Sequence, residues 1–257
     1  MSDLRWSLIG LVLGTFIGVV AFAPARWVAA LLAQVSGSRV LLSEPRGTVW
    51  GGDARLVLSG GAASREAVVL PGRISWRLGL LGPGLVLRLG ADCCTTEPLV
   101  LSARMRWGGW SLALADNSSQ WPAAALAGLG APWNTLQAQG RMLISVQGLS
   151  VEWRDGRSSV IGRASLDALE LSSRLSTLRP IGSYRLRLIG NGLSAPPQLQ
   201  LETLQGSLKL SGQGQWNGAR WSFQGEASAA AENELVLGNL LNIVGRRQGA
   251  TSVIALD

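Results

Sequence analysis

The chain has 257 residues, of which 47% are hydrophobic, and it carries a formal net charge of +7. The charge comes almost entirely from arginines, of which only Arg246 and Arg247 are adjacent, so no basic run indicates a nucleic-acid partner. We interpret these arginines as a solvated face that could meet anionic lipid headgroups. Histidine is absent, which excludes catalytic pairs and metal sites built on imidazole. Because carboxylates are also few and scattered, we predict neither an enzyme nor a cofactor.

The first predicted element is an uncharged apolar stretch at residues 6–25. Twenty helical residues at about 1.5 Å each cover the roughly 30 Å hydrocarbon core of a bilayer. A cleaved leader is the alternative, since Ala21-Phe22-Ala23 resembles a cleavage site, but Pro24 fits poorly after such a cut. We therefore predict a cytoplasmic tail at residues 1–5 and an uncleaved transmembrane anchor in contact with lipid. Residues 26–257 would then lie outside the cytoplasm, because long domains cross largely regardless of charge.

From residue 36 onwards, apolar and polar residues alternate, and turn residues recur about every 8–12 positions. Such alternation is typical of antiparallel strands with one face in water. Residues 116–132 interrupt the alternation with a polar segment, predicted to be a loop, and a short apolar segment, predicted to be helical around Leu126. The sequence therefore predicts a mainly β body, an antiparallel meander with two possible halves at residues 36–115 and 133–257.

The pattern changes again near the C-terminus, where apolar residues recur at helical spacing, at Leu237, Leu240, Leu241 and Val244. We predict a short helix there that caps the sheet. Before it, Asn217-Gly218 indicates a tight hairpin turn. Trp216 and Trp221 flank this turn and are expected to pair across it.

The two cysteines, Cys93 and Cys94, are adjacent in the sequence. Neighbouring side chains of a strand point to opposite faces, so an ordinary bridge between them is strained. Three alternatives stay open: two small residues in a turn, a strained vicinal disulfide, or one cysteine bridging to a partner. An oxidising compartment permits the last two, so we regard the pair as a candidate disulfide.

Several segments rich in glycine and tryptophan form a recognisable pattern. The first is Gly47-Thr48-Val49-Trp50-Gly51-Gly52, and the others lie at residues 172–176, 180–184, 201–203, 206–216 and 223–227. The pattern resembles that of the type II secretion system protein N family, and the resemblance covers nearly the whole chain. The residues that carry it, which we take as candidate structural or site residues, are Gly47, Trp50, Gly52, Ser183, Tyr184, Gly206, Gly212, Gly214, Trp216, Phe223 and Gly225.

The resemblance implies a single-pass protein of a Gram-negative inner membrane whose large C-terminal part is periplasmic. It further implies an accessory role in type II protein secretion, through contacts with other subunits such as the secretin or the inner-membrane platform. The fold would be a curved, AsmA-like antiparallel sheet, and the family transfers no catalytic residue, cofactor or metal ligand to this chain.

Two functions follow from these expectations. Free sheet edges or exposed apolar rows would dock other secretion subunits. Alternatively, the apolar rows would form a periplasmic groove that binds or handles lipid. The tryptophans at the ends of those rows are Trp50, Trp76, Trp107, Trp153, Trp216 and Trp221.

Overall fold

The computed structural model describes residues 2–62, 64, 66–130, 133–218 and 220–256. Within these residues the α-helices are α1 (Ser2–Ala21), α2 (Arg26–Val35), α3 (Trp133–Leu136) and α4 (Glu234–Val244). Two 3₁₀ helices lie at Ala123–Leu129 and Ala231–Asn233. All other regular structure in this part of the chain is strand, so the prediction of a mainly β body is confirmed.

The strands form one antiparallel sheet of sixteen strands. In chain order they are β1 (Val40–Gly47), β2 (Gly51–Ser59), β3 (Ala67–Val69), β4 (Ile74–Leu81), β5 (Gly84–Ala91), β6 (Leu99–Arg106), β7 (Gly109–Leu114), β8 (Asn117–Pro122), β9 (Gln139–Arg154), β10 (Arg157–Ser172), β11 (Gly182–Gly192), β12 (Gln198–Gly206), β13 (Leu208–Trp216), β14 (Trp221–Ala229), β15 (Arg246–Gln248) and β16 (Thr251–Leu256). Successive strands are mostly neighbours, in the order β1-β2-β4-β5-β6-β7-β9-β10-β11-β12-β13-β14-β16-β15, while β3 pairs with β2 and β8 with β9. The predicted antiparallel meander is therefore confirmed.

The interruption at residues 116–132 is crossed by the sheet. The C-terminal part of β9 pairs with β7, as in Leu112 opposite Val151. The N-terminal part of β9 pairs with β8, as in Ser119 opposite Ile144. The prediction of a polar loop at this segment, which forms β8, is wrong. Strand β9 is long enough to form backbone hydrogen bonds with β8, and these bonds do not depend on the side chains of β8. The short helix predicted after it is present as the 3₁₀ helix Ala123–Leu129.

One face of the sheet carries the apolar residues of nearly every strand. Val151 and Val146 of β9 are an odd number of residues apart and would point to opposite faces of a regular strand. A register shift between β9 and β10 at this place, with Gly148 at φ +57°, returns both to the same face. The apolar face consequently continues from β1 through to β16.

Helices cover parts of this face. Helix α2 packs over β1, β2 and β4 around Leu42, Ala54 and Trp76. The 3₁₀ helix Ala123–Leu129 lies against β2, β3 and β9. Helix α4 covers the last strands with three buried leucines, Leu237, Leu240 and Leu241. The predicted C-terminal helix and its capping position are confirmed.

The N-terminal stretch differs from its prediction. It is helical as α1, but the helix ends at Ala21, before the predicted boundary at Ala25. The chain is pinned there, because the Val49 N–H donates to the carbonyl of Ala23 (2.9 Å) and the Ala25 N–H donates to that of Gly47 (3.0 Å). Among the described residues, no helix combines the length and the apolar character needed to cross a membrane, so the anchor predicted at residues 6–25 is not found.

Candidate interaction surfaces

The first family-like motif builds the junction between the N-terminal helices and the sheet. The indole Nε1 of Trp50 donates a 2.8 Å hydrogen bond to the carbonyl of Val20, the last turn of α1. Gly47, at φ +87°, accepts from the Ala25 N–H in the connection to α2. The β1–β2 turn therefore fixes where α1 leaves the sheet.

Trp76 completes this junction from the neighbouring strand. It is only 5% exposed, and its Nε1 lies 3.2 Å from the carbonyl oxygens of both Thr48 and Val49. Its ring lies on Gly52, where an added Cβ would be 2.6 Å from Cζ2 of the indole. Glycine is required at this position by that close approach. The sequence placed Trp76 in an apolar row that could line a groove, and nothing in the alternation marked Gly52 as the residue that its ring contacts on the neighbouring strand.

The motif residues of β11 and β12 lie at the end of the sheet that α4 covers, which we call the covered end. The Tyr184 hydroxyl donates to the carbonyl of Leu208 at 3.1 Å, and Ser183 Oγ accepts the N–H of Glu170 at the bulge in β10. Gly206 adopts φ +126° and lies against Gly182, where a Cβ would overlap the backbone. Burial raises the pKa of the Tyr184 phenol above its ordinary value, because the phenolate would lose its hydration.

The remaining motif residues support one aromatic ring. Three glycines of β13 and β14 lie beneath Phe223, so that a Cβ at Gly214 or Gly225 would come within 2.9 or 3.0 Å of the ring and one at Gly212 would overlap it. At the nearby turn, Trp216 and Trp221 meet edge to face with ring centroids 5.7 Å apart. The predicted pairing across this hairpin is confirmed.

The candidate residues therefore form separate groups instead of one site. The junction residues lie on β1 and β2, whereas the others lie on strands β11 to β14 at the far side of the sheet. Each group holds backbone or rings in place. In the described part of the chain, no three His, Cys, Asp or Glu side chains lie close enough together to hold a metal ion.

Cys93 and Cys94 are joined by a disulfide in the connection between β5 and β6. Cys94 is buried, and Cys93 is exposed at an open cavity of about 770 Å³. Of the three alternatives left open by the sequence, the structure contains the vicinal disulfide.

The edges of the sheet are poorly suited to adding a further strand. The Ser36 hydroxyl occupies both outward backbone groups of Val40, lying 3.1 Å from its N and 3.2 Å from its O. Arg73 Nη2 donates to the carbonyl of Glu44 at 2.8 Å, and Pro45 has no N–H to offer. At the other edge, β15 contains only three residues. Such blocked and shortened edges disfavour pairing with another chain.

A strip of the apolar face stays open between α2 and α4. It is formed by half-buried residues of β6, β7, β9, β11 and β12 that pack against none of the helix-covered core clusters. We call it the apolar strip, and its residues are Leu101, Leu112, Val151, Leu188 and Leu199.

A family model described as type II secretion system protein N matches residues 38–254, which is most of the chain. The chain belongs to the type II secretion system protein N family. The match begins just before β1 and ends within β16, so the matched range contains nearly the whole sheet together with α4. No curated protein and no solved structure matches the chain. All of the candidate motif residues lie inside the matched range, and membership of the family supports a role in type II secretion and protein transport.

Proposed function

We propose that the protein is an accessory component of the type II secretion system that acts through protein–protein contacts in the periplasm. The observation that carries this proposal is the family match over residues 38–254. The motif residues support it indirectly, because they fix strands and rings and present no reactive group. The protein would serve as a scaffold for other subunits, such as the secretin or the inner-membrane platform, and not as a catalyst.

The apolar strip is the surface we propose for these contacts. One sheet edge is partly blocked and the other is short, whereas Leu112 and Val151 lie opposite each other on an uncovered part of the apolar face. Removing apolar area of this kind from water is favourable by about 25 cal/mol per Å², against which the entropic cost of association must be set. A subunit with a complementary apolar helix or hairpin would thus complete the cover that α2 and α4 leave open.

The location that we propose is the periplasmic side of the inner membrane, with α1 providing attachment. The large apolar side chains of α1 from Leu11 to Val20 are exposed, which favours contact with lipid over contact with water. The Cys93–Cys94 disulfide is consistent with a body in an oxidising compartment.

Site-specific photo-crosslinking in secreting cells tests the strip directly. A photoreactive residue at Leu112 is expected to crosslink to a type II secretion subunit that mass spectrometry identifies. The matched control is Ser111, the adjacent residue of β7, whose side chain lies on the opposite face. Leu112→Asp is expected to reduce secretion, and Ser111→Asp to leave it unchanged. Normal secretion by Leu112→Asp, together with no subunit crosslinked from residue 112, would contradict the proposal.

Lipid binding by an AsmA-like groove is the second candidate, and the same uncovered strip is the observation that favours it. Native mass spectrometry of the purified full chain distinguishes the two functions. Phospholipid that remains bound to the parent protein and is lost from Leu112→Asp would support lipid handling. A lipid-free parent protein under gentle conditions would remove that candidate.

A further inference from the structure

Two central hairpins extend beyond their neighbours at one end of the sheet. Strand β6 continues to Arg106 beyond Arg104, which already pairs with the first residue of β5. Likewise, Val160 of β10 pairs with the last residue of β11, so the start of β10 extends past it. The two turns are tied together, because the Asp155 N–H donates to the carbonyl of Gly108 at 3.3 Å. We call residues 104–111 and 152–159 the projecting tip.

One face of the projecting tip is apolar and uncovered. Met105 is 77% exposed, and the Trp107 side chain in the turn is fully exposed. Met105 pairs with Trp110, and Trp110 pairs with Trp153, both indoles being exposed. Large exposed apolar groups that lie side by side mark an interaction surface and not a core.

The other face of the projecting tip carries exposed arginines. Arg154 lies directly opposite Arg157, an arrangement of like charges that destabilises a strand pair unless an anion intervenes. None of the ion pairs among the described residues involves these two or the arginines of β6. The tip also contains Glu152 and Asp155, so its net charge remains positive. The four exposed arginines are Arg104, Arg106, Arg154 and Arg157.

The projecting tip lies at the end of the sheet where α1 joins it. Strand β2 begins opposite Arg77 in the middle of β4 and runs antiparallel to it, and the Leu78 N–H donates to the carbonyl of Trp50 at 2.7 Å, so the β1–β2 turn points towards the same end of the sheet as the β4–β5 turn. Trp50 in that turn holds the last turn of the exposed apolar helix α1 through the carbonyl of Val20. A surface that receives α1 would therefore lie on the same side of the molecule as the tip.

We propose that the projecting tip binds the surface of an anionic phospholipid bilayer. Indoles are favoured at the headgroup level, because they have an apolar body and a polar N–H. Guanidinium groups bind lipid phosphates, and basic residues are attracted to an anionic leaflet. The tip is built from the ends of four strands, with indoles on one face and arginines on the other. At the boundary between water and hydrocarbon, the indoles and the arginines can contact the bilayer at the same time. The tip would then set how the sheet stands on the membrane, independently of which secretion subunit it contacts.

A local fluorescence probe tests this proposal while α1 is present. Ser158→Cys introduces a thiol beside Trp153 on the projecting tip, and Thr177→Cys introduces one in the exposed loop at the opposite end. The native cysteines are bonded to each other and do not react with a maleimide in the absence of reductant. The full chain, labelled with nitrobenzoxadiazole, is reconstituted into vesicles of phosphatidylcholine with or without phosphatidylglycerol.

We expect the emission of the label at residue 158 to shift to the blue in vesicles with phosphatidylglycerol, and less in pure phosphatidylcholine. High salt should weaken the shift, because it screens the arginines. The label at residue 177 should not respond. An unshifted label at residue 158 in anionic vesicles would overturn the proposal and favour an acidic protein as the partner.

Charge variants separate the arginines of the tip from the net charge of the protein. In the Ser158→Cys background, R104Q/R106Q/R154Q/R157Q is expected to lose the blue shift specific to anionic vesicles. The control replaces four exposed arginines at the other end of the sheet, R39Q/R174Q/R179Q/R246Q, and is expected to keep it. Equal shifts in the two variants would overturn the role of the tip, provided that circular dichroism shows both to be folded.

Discussion

The two ends of the sheet use the same alternation of apolar and polar residues for different purposes. At the covered end, α4 encloses Leu237 and Leu241 against Tyr184 and Leu208. At the end with the projecting tip, Met105 and its neighbours continue the same apolar row into solvent. The alternation therefore decides which face a side chain occupies, and the helix above it decides whether that face becomes core or surface.

The arginines differ between the two ends in the same way. Near the covered end, Arg185 meets Asp167 through two hydrogen bonds of 2.7 and 2.6 Å, which raises the pKa of the guanidinium above its ordinary value. Arg247 meets Glu234 of α4 at 2.6 Å. In the projecting tip, Arg154 and Arg157 have no carboxylate partner among the described residues. The comparison separates arginines that complete the fold from arginines that are available to an external anion.

The largest expected effect on stability comes from a substitution in the core of the covered end. Leu241→Ala removes a side chain with 0% exposure and leaves a cavity beneath α4, so we expect the free energy of unfolding to fall by about 2–5 kcal/mol. Leu235→Ala on the same helix is the control, because Leu235 is 98% exposed, and it should change stability by no more than about 0.5 kcal/mol. Denaturant unfolding of both variants measures the difference. Equal midpoints would show that α4 does not cap the sheet.

The next largest effect on stability concerns the close backbone contact between Gly206 and Gly182 at the covered end. Gly206→Ala places a Cβ onto Gly182 at a φ of +126°, which side chains rarely adopt, so we expect a loss of about 1–3 kcal/mol. Gly79→Ala is the matched control in a strand near the other end, where nothing lies within 4 Å of the added Cβ. Thermal unfolding compares them. A Gly206→Ala variant as stable as Gly79→Ala would contradict the close pairing of β11 with β12.

A smaller effect on stability compares tryptophans at two turns on the same end of the sheet, the β6–β7 turn and the β13–β14 turn. Trp216 is half-buried and pairs with Trp221, so Trp216→Ala should cost about 2 kcal/mol from lost burial and the lost aromatic pair. Trp107→Ala should change stability by no more than about 0.5 kcal/mol, since Trp107 is fully exposed. If Trp107→Ala destabilises the fold as much as Trp216→Ala does, the projecting tip is a structural element.

The sequence predicted those parts of the fold that depend on local periodicity. The alternation in β4 to β7, the hairpin at Asn217-Gly218 and the leucine spacing of α4 each fix an element from its own residues. Strand β8 could not be predicted in this way, because its polar residues become a strand only through the backbone of β9. The same limit applies to Trp107 and Trp76, which look alike in the sequence although one is fully exposed and the other is buried.

The candidate motif residues were identified by resemblance, but their roles required the pairing of distant segments. Gly52 gains its role from Trp76, and Gly206 gains its role from Gly182. The state of Cys93 and Cys94 was likewise left open, because spacing alone does not determine whether two adjacent sulfurs bond. The end of α1 at Ala21 follows from hydrogen bonds to the β1–β2 turn, which hydropathy does not report.

The smallest expected effect is a pH dependence of the stability that comes from Tyr184 at the covered end. Tyr184 is the only tyrosine, the chain has no histidine, and both cysteines are bonded, so few groups titrate near pH 10. Burial raises the pKa of Tyr184 in the folded state, so the folded protein keeps a proton that the unfolded chain releases. This contribution to stability is fully present below the unfolded pKa of about 10 and is lost as the pH rises above it.

Tyr184→Phe removes that dependence together with the hydrogen bond to the carbonyl of Leu208. At neutral pH the variant should be less stable by about 1 kcal/mol, the usual net contribution of one hydrogen bond. Above about pH 10 the parent should lose stability faster than the variant, so the gap between them should narrow. Lys209→Arg in both proteins removes the only lysine side chain, which titrates in the same range. Because the chain has a single tyrosine, the phenolate absorbance of the folded parent reports the pKa of Tyr184 directly. Ionisation near pH 10 would contradict the prediction, because it would show that water reaches Tyr184 at the covered end.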